Sequence, residues 1–168
     1  MTKFLKLLAI FAITTPFPIW AEAKETYIPI LVPITGFLSL EGTAQRNGAI
    51  QALDEAPSNL KIKYEVSDTS TSPEIAVTAL QRALSRGKPM AIAAPIFGTQ
   101  MLAMLPIAKR TEVPLITVSG TAKLTELDNP FIFRFFPGDA VVKVAHARYV
   151  TEVLRAKRPA LLYQTTAY

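Results

Sequence analysis

The sequence contains no cysteine and a single histidine, and these two shortages exclude several kinds of chemistry. Without cysteine there is no disulfide framework, no thiolate-bound metal and no cysteine nucleophile. One histidine, His146, cannot build a histidine metal cluster. It also has no partner nearby in the sequence, so we interpret it as a partly exposed structural residue. We therefore expect a protein that is not an enzyme.

The sequence also has no long apolar run, and this absence limits how the N-terminal segment can be interpreted. A short positive end containing Lys3 and Lys6 precedes an apolar stretch, and small residues surround Glu22. The uncharged run 7–21 contains two prolines and falls short of the ~20 residues that a membrane-spanning helix needs. Residues 1–23 therefore read as a secretory signal peptide, with cleavage after Ala23. No cysteine is present for lipid attachment, so we expect a soluble periplasmic protein.

Basic residues are scattered, and no basic run exceeds two residues, which indicates a solvated surface and no nucleic-acid partner. No G-x-G-x-x-G or phosphate-binding lysine motif occurs, so the sequence predicts no nucleotide cofactor, and we expect no cofactor at all. Half of the residues are apolar, which is enough for a packed core.

Strand-like and helix-like patterns alternate along the chain. Buried or half-buried strands are predicted at 27–33, 60–66, 90–94 and 113–118, and helices at 41–55, 73–85 and 98–111. Helices between short apolar strands imply right-handed crossovers and a parallel sheet covered on both faces. The fold class is thus α/β, a doubly wound parallel sheet, with strand 60–66 near an edge.

Two helices carry specific expectations. Helix 73–85 begins with Ser72 as its N-cap and Pro73 as its first residue, and its inward residues are Ile75, Ala79, Leu80 and Ala83. In helix 41–55 we expect an inner face formed by Ala44, Gly48, Ile50 and Leu53, with Gln45, Arg46 and Asp54 facing water.

The regular alternation of predicted strands and helices changes after residue 130. Segment 131–137 reads as an extended crossing whose phenylalanines provide core or hinge packing. A helix over 139–157 and a strand over 159–163 follow. One helix and one strand cannot form a second core, so the sequence divides into a leader (1–23), a first α/β lobe (24–137) and the truncated start of a second lobe (138–168).

Two predicted turns lie where ligands bind an open parallel sheet, beyond the carboxyl ends of its strands. Ile96 to Thr99 follow the third strand and open a helix, and Ser119 to Thr121 follow the fourth. Together they offer backbone N–H groups, hydroxyls and glycines, which suit a ligand carboxylate.

The chain resembles periplasmic solute-binding proteins of the leucine/isoleucine/valine-binding type, which have the type I periplasmic-binding fold and serve ATP-driven importers. Five segments carry the resemblance over nearly all of the chain after the leader: 30–36 with Glu41-Gly42 and 47–49; Asp68 with Pro73; 91–99; 112–121 with Leu124; and Phe133-Arg134 with Asp139 and Tyr168.

The resemblance implies capture of a branched-chain or related amino acid, or an amide, between two lobes, followed by delivery to a permease in the inner membrane. It implies a monomer and a ligand site that includes both turns. The expected site residues are Phe97, Gly98, Thr99, Ser119, Gly120, Thr121, Tyr168 and Glu41. A ligand-sensing or partner-binding module of the cell envelope, with the same fold, is the alternative function.

Each of these residues also has a structural reading. Thr99 can be only a helix N-cap, and Ser119 to Thr121 an ordinary turn. Phe97 can be a core aromatic, and Glu41 can complement a helix dipole. Asp68 can bind a metal or a ribose, or it can form a turn through its carboxylate.

Overall fold

Residues 25–163 are described by the computed structural model, and they form a five-stranded, wholly parallel sheet with the strand order β2-β1-β3-β4-β5. The strands are β1 (Thr26–Val32), β2 (Ile62–Asp68), β3 (Ile92–Ala93), β4 (Leu115–Thr117) and β5 (Ile132–Arg134). The helices are α1 (Ser39–Asp54), α2 (Pro73–Ser85), α3 (Gly98–Thr111), α4 (Lys123–Glu126) and α5 (Asp139–Arg148), and a π-helix follows at Tyr149–Val153.

This strand order confirms the predicted doubly wound class. The chain moves in one direction from β1 to β2 and in the other from β2 to β3, so right-handed crossovers place α1 on one face and α2 and α3 on the other. Strand β2 is an edge strand, as expected. Strand β5 was predicted only as an extended crossing, yet it pairs with β4 and extends the sheet.

The core lies between the sheet and the α2–α3 layer. Leu31, Ile92 and Leu115 of the sheet pack against Leu80 of α2 and Met101 of α3, all completely buried. Helix α2 begins as predicted, because the Ser72 hydroxyl accepts a hydrogen bond from the N–H of Ile75 at 3.3 Å. Its inward face is Ala76, Ala79, Leu80 and Ala83. Ile75, which we expected to be buried, is exposed, because the buried face of α2 begins with Ala76 instead.

The prediction for the inner face of α1 was only partly right, since Ile50 and Leu53 are half-buried and Asp54 is exposed as expected, but the other positions differ. Ala44 and Gly48 are exposed and only Gly42 is buried, whereas Gln45 turns inward and its Nε2 donates to the carbonyl of Ala94 at 2.6 Å. Helix α1 thus contacts the sheet through a glycine and an amide. An open apolar groove of about 580 Å³ remains beside it, lined by α1 and by residues such as Ile116 and Phe136.

The segment after β5 differs from the prediction in two ways. The expected helix 139–157 ends its α-helical part at Arg148, and the expected strand 159–163 has no partner strand among the described residues. A strand needs a neighbour for its backbone groups, and Leu162 is 99% exposed. The phenylalanines 133, 135 and 136 are also exposed and form no core. Within residues 25–163, no helix has both the length and the apolarity required to cross a membrane.

Candidate functional site

The two turns predicted as a ligand site lie side by side. Strands β3 and β4 pair in parallel, and beyond them the N–H of Ala94 donates to the carbonyl of Ile116 at 2.8 Å. The buried hydroxyl of Thr117 then donates to the carbonyl of Pro95 at 2.7 Å, which fastens the start of one turn to the end of the neighbouring strand. The turns after β3 and β4 therefore leave the same edge of the sheet next to each other.

The turn after β3 delivers the open N-terminus of α3. Phe97 occupies the N-cap position and supplies no side-chain hydrogen bond. The first N–H groups of a helix have no partner within the helix, and those of Gly98, Thr99 and Gln100 make no hydrogen bond to any other residue between 25 and 163. Thr99 is not the N-cap of α3, so the alternative in which Thr99 serves only as that cap is wrong. Its hydroxyl is buried and has no hydrogen-bond partner among the described residues.

The turn after β4 is buried but rich in polar groups. Ser119 and Thr121 are 0% and 1% exposed, and the Ser119 hydroxyl lies 3.3 Å from that of Thr121, to which it donates. The Ser119 N–H is held by the Thr117 hydroxyl at 3.0 Å. Within residues 25–163, the N–H groups of Gly120 and Thr121 find no acceptor. Buried donors without a partner in the protein need water or a ligand to satisfy them.

Aromatic residues lie beside the α3 terminus. Phe97 is half-buried and meets the exposed ring of Phe37 edge to face, with ring centroids 5.3 Å apart. This contact brings the loop after β1 to the same edge of the sheet. Phe97 is therefore not a plain core residue, and Phe37 was not identified from the sequence, where a phenylalanine in a loop carries no distinguishing signal.

A carboxylate fixes the position of the loop after β1. Asp68 accepts hydrogen bonds from the N–H groups of Ile34 and Ser70, each at 2.8 Å, so it forms a turn, as one reading proposed, and also bridges two loops. Partial burial alone would raise the pKa of Asp68. Hydrogen bonds from Thr35, Ser70 and Ile34 outweigh it and lower that pKa to about 2.

The two remaining predicted residues are Glu41 and Tyr168. Glu41 is exposed in the first turn of α1, where it complements the helix dipole and borders the groove beside α1. Tyr168 lies outside the described residues. His146 is exposed on α5, as expected.

Two further residues adjoin the turn after β4. The Arg134 guanidinium donates to the carbonyl of Thr121 at 3.0 Å and to the hydroxyl of Thr125 at 3.2 Å. Asp139 donates its N–H to the carbonyl of Gly120 at 2.7 Å. Both residues occur in the segments that carry the family resemblance, but their spacing alone gave neither a role.

Comparison with solved structures identifies the fold as that of type I periplasmic binding proteins. A leucine binding protein from Thermotoga maritima is 28% identical with a TM-score of 0.73, and the match covers 79% of this chain and 39% of that one. A branched-chain amino acid transporter substrate binding protein from Streptococcus pneumoniae, in complex with isoleucine, is 24% identical with a TM-score of 0.71, covering 80% and 40%.

A third relative has a different ligand. The solute binding protein of an ABC transporter from Rhodopseudomonas palustris, in complex with 3,4-dihydroxybenzoic acid, is 22% identical with a TM-score of 0.66, covering 77% of this chain and 37% of that one. The chain thus spans well under half the length of these relatives. A comparison with curated proteins finds no match.

The family model for periplasmic binding proteins matches residues 25–168. The protein therefore belongs to the periplasmic binding protein family.

Proposed function

We propose that the protein captures a branched-chain or related amino acid, or an amide, in the periplasm and delivers it to the permease of an ABC importer. The observation that carries this proposal is the pair of adjacent turns with unpaired donors, the first turn of α3 and the N–H groups of Gly120 and Thr121. A second lobe would close over them and exclude water.

The donors at the two turns suit the carboxylate of a ligand. Converging N–H groups at a helix N-terminus stabilise a negative charge without a formal counter-charge. The unpartnered hydroxyl of Thr99 adds a donor on the same helix. A ligand carboxylate would satisfy these groups at once, whereas an uncharged sugar would use only some of them.

The aromatic rings beside these donors suit an apolar side chain of the solute. Phe97 and Phe37 provide an apolar surface directly beside the α3 terminus. An aliphatic or aromatic group attached near the carboxylate would pack on these rings and be removed from water. A signal peptide over residues 1–23, as the sequence predicts, would bring the protein to the periplasm, where such solutes are collected.

The test is titration calorimetry of the whole protein with a panel of amino acids and amides, preceded by thermal-shift screening. A ligand at a hundredfold excess over its Kd raises the free energy of unfolding by ~2.7 kcal/mol. Thr121→Ala should weaken binding about tenfold or more, because a hydrogen bond to a charged group is lost. Thr111→Ala is the matched control, since its hydroxyl bonds only within α3, at the opposite end from the site.

Failure of every solute to stabilise the wild-type protein would refute solute capture. Co-purification of an envelope protein in that case would favour the sensing or partner-binding role. An unchanged Kd for Thr121→Ala, with binding intact in the wild type, would remove that residue from the site.

A further inference from the structure

We propose that two copies of this chain associate through α5, with the helix of each copy seated in the apolar groove beside α1 of the other. The inference does not rest on the proposed function, because it concerns the protein without solute. It departs from the monomer that the family resemblance implied.

The first surface is one side of the helical segment formed by α5 and the π-helix. None of the residues Asp139–Val153 is buried. Apolar residues nevertheless recur at three- and four-residue spacing on one side of the segment, at Val141, Val144, Ala145, Tyr149 and Val153. The three valines and the tyrosine are each more than half exposed. An amphipathic helix gains most of its stability from packing its apolar side, and this one has no such contact within residues 25–163.

The second surface is the groove beside α1, where the sheet is left uncovered. Helices α2 and α3 cover one face of the sheet, whereas α1 packs on the other face chiefly against β1. Ile116 lies in the middle of β4 and is still 40% exposed, and Phe136 at the end of the groove is 54% exposed. A parallel sheet is normally covered on both faces. The groove therefore lacks a helix, just as α5 lacks a surface to pack against.

The distribution of charge favours a contact between α5 and α1. Segment 143–158 contains five basic residues and one glutamate, whereas segment 39–55, which includes α1, contains three acidic residues and one arginine. Glu41 borders the groove, and Arg148 lies beside the apolar residues of α5. Two α5 helices packed on each other would oppose like charges. Helix α5 packed beside α1 opposes unlike charges, which favours that pairing.

The position of α5 in the chain explains why its partner is a second copy. Phe136 lines the groove, and α5 begins only three residues later, at Asp139. The helix nevertheless leaves the groove of its own chain open, since its apolar side is exposed. A two-fold axis close to residues 137–138 would set each helix over the groove of the other copy, so that the same contact is made twice.

The size of this exchange is sufficient for a stable dimer. The 10 residues of α5 and the 5 of the π-helix extend about 20 Å. A helix about 11 Å wide that lies with one half in a groove buries on the order of 350 Å² of its own surface and as much of the groove. Two such contacts bury about 1,400 Å², within the range of specific protein interfaces.

The experiment measures the association of the protein by sedimentation equilibrium without solute. The wild type should form a dimer. Val144→Asp should raise the dimer Kd about tenfold or more, because it places a charge in the apolar contact. Ala44→Arg, on the groove side, should raise it similarly through its bulk and its repulsion of the basic helix. Both positions are exposed, so each variant should remain folded by circular dichroism.

The matched controls are Ile75→Asp and Gln81→Arg. Both residues are exposed on α2, which packs on the opposite face of the sheet, and both variants should dimerise as the wild type does. Disruption by Val144→Asp alone would mean that α5 packs on a surface other than the groove, and this would overturn the inference.

The absence of cysteine allows the contact to be identified directly. Tagged Ala44→Cys protein, mixed with untagged Val144→Cys protein and treated with a short bismaleimide, should give a mixed cross-linked dimer. Tagged Ala44→Cys with untagged Gln81→Cys is the control and should give far less.

A wild type that stays monomeric at every concentration would overturn the inference, and so would a dimer that neither Val144→Asp nor Ala44→Arg weakens. Equal cross-linking in the two mixtures would do the same. Solute binding by a monomeric wild type would leave the proposed function standing.

Discussion

The carboxylate of Asp68 and the side chain of Thr35 join two loops that lie 33 residues apart in sequence. The Thr35 hydroxyl donates to Asp68 at 2.6 Å and its N–H donates at 3.2 Å. This pair sets the loop after β1 at the sheet edge, and the same loop carries Phe37 to its contact with Phe97. The position of the aromatic surface beside α3 therefore depends on a carboxylate that lies at the end of β2.

Asp68→Asn should lower the free energy of unfolding at neutral pH by about 1 kcal/mol, a value discounted for the partial exposure of the group. Because the folded-state pKa is depressed from 3.8 to about 2, the stabilisation by Asp68 is complete above the unfolded-state pKa. It is lost as the pH falls from about 4 to about 2. Urea unfolding across that range should show the wild type and the variant converging.

Asp128→Asn is the control, because Asp128 is exposed and its side chain makes no hydrogen bond in the described part of the chain. This variant should follow the wild type at every pH. A constant gap between wild type and Asp68→Asn from pH 5 to pH 2 would contradict the assigned role of the carboxylate.

Two glycines of α1 should respond in opposite directions to alanine. At Gly42 a Cβ would overlap the carbonyl of Pro33, so Gly42→Ala should destabilise the protein by about 1–3 kcal/mol. At Gly48 a Cβ meets nothing, and Gly48→Ala should stabilise it by about 0.5–1 kcal/mol through helix propensity. Thermal unfolding of the two variants measures both values, and a Gly42→Ala variant as stable as the wild type or more stable would show that α1 does not pack through Gly42.

Thr99 and Thr117 form a matched pair of hydroxyls, one unpartnered and one bonded twice. Thr99→Val should leave the unliganded protein as stable as the wild type or raise its stability by about 1 kcal/mol, while solute affinity falls. Thr117→Val removes the bonds to Pro95 and Ser119 and should destabilise the protein by about 1–3 kcal/mol. Unfolding curves and calorimetry on the same samples separate the two effects. Loss of stability without loss of affinity in Thr99→Val would make its hydroxyl structural.

The sequence predicted the features that depend on local hydrophobic periodicity and on capping and turn residues. The cap at Ser72, the start of α3 at Gly98 and the edge position of β2 all follow from patterns within a few residues, and all are observed. The adjacency of the two turns followed from the parallel topology. The inward positions of Gly42 and Gln45 in α1 could not be predicted, because Gly42 lies against the carbonyl of Pro33 and Gln45 bonds through its amide, and neither contact appears as hydrophobicity in the sequence.

The same limit applies to the site. Hydroxyls and glycines after parallel strands indicated the donors, but the contact between Asp139 and Gly120 could not be predicted. Asp139 lies 19 residues beyond Gly120 in the sequence and reaches it only through the crossing formed by β5. A contact of this kind has no period and no motif. The sequence shows only a glycine at position 120. The structure gives the reason, because the carboxylate of Asp139 occupies the space that a Cβ at this position would need.

The strands of the sheet differ in length, and the short ones lie together on one side. Strands β1 and β2 are paired over seven residues each, whereas β3 has two residues and β4 and β5 have three. The half of the sheet that carries both turns thus has shorter ladders than the other half, although its residues Ile92 and Leu115 are completely buried. A solute that bridges the turns would add a connection between β3 and β4, so its binding would also stabilise the part of the sheet with the shortest strands.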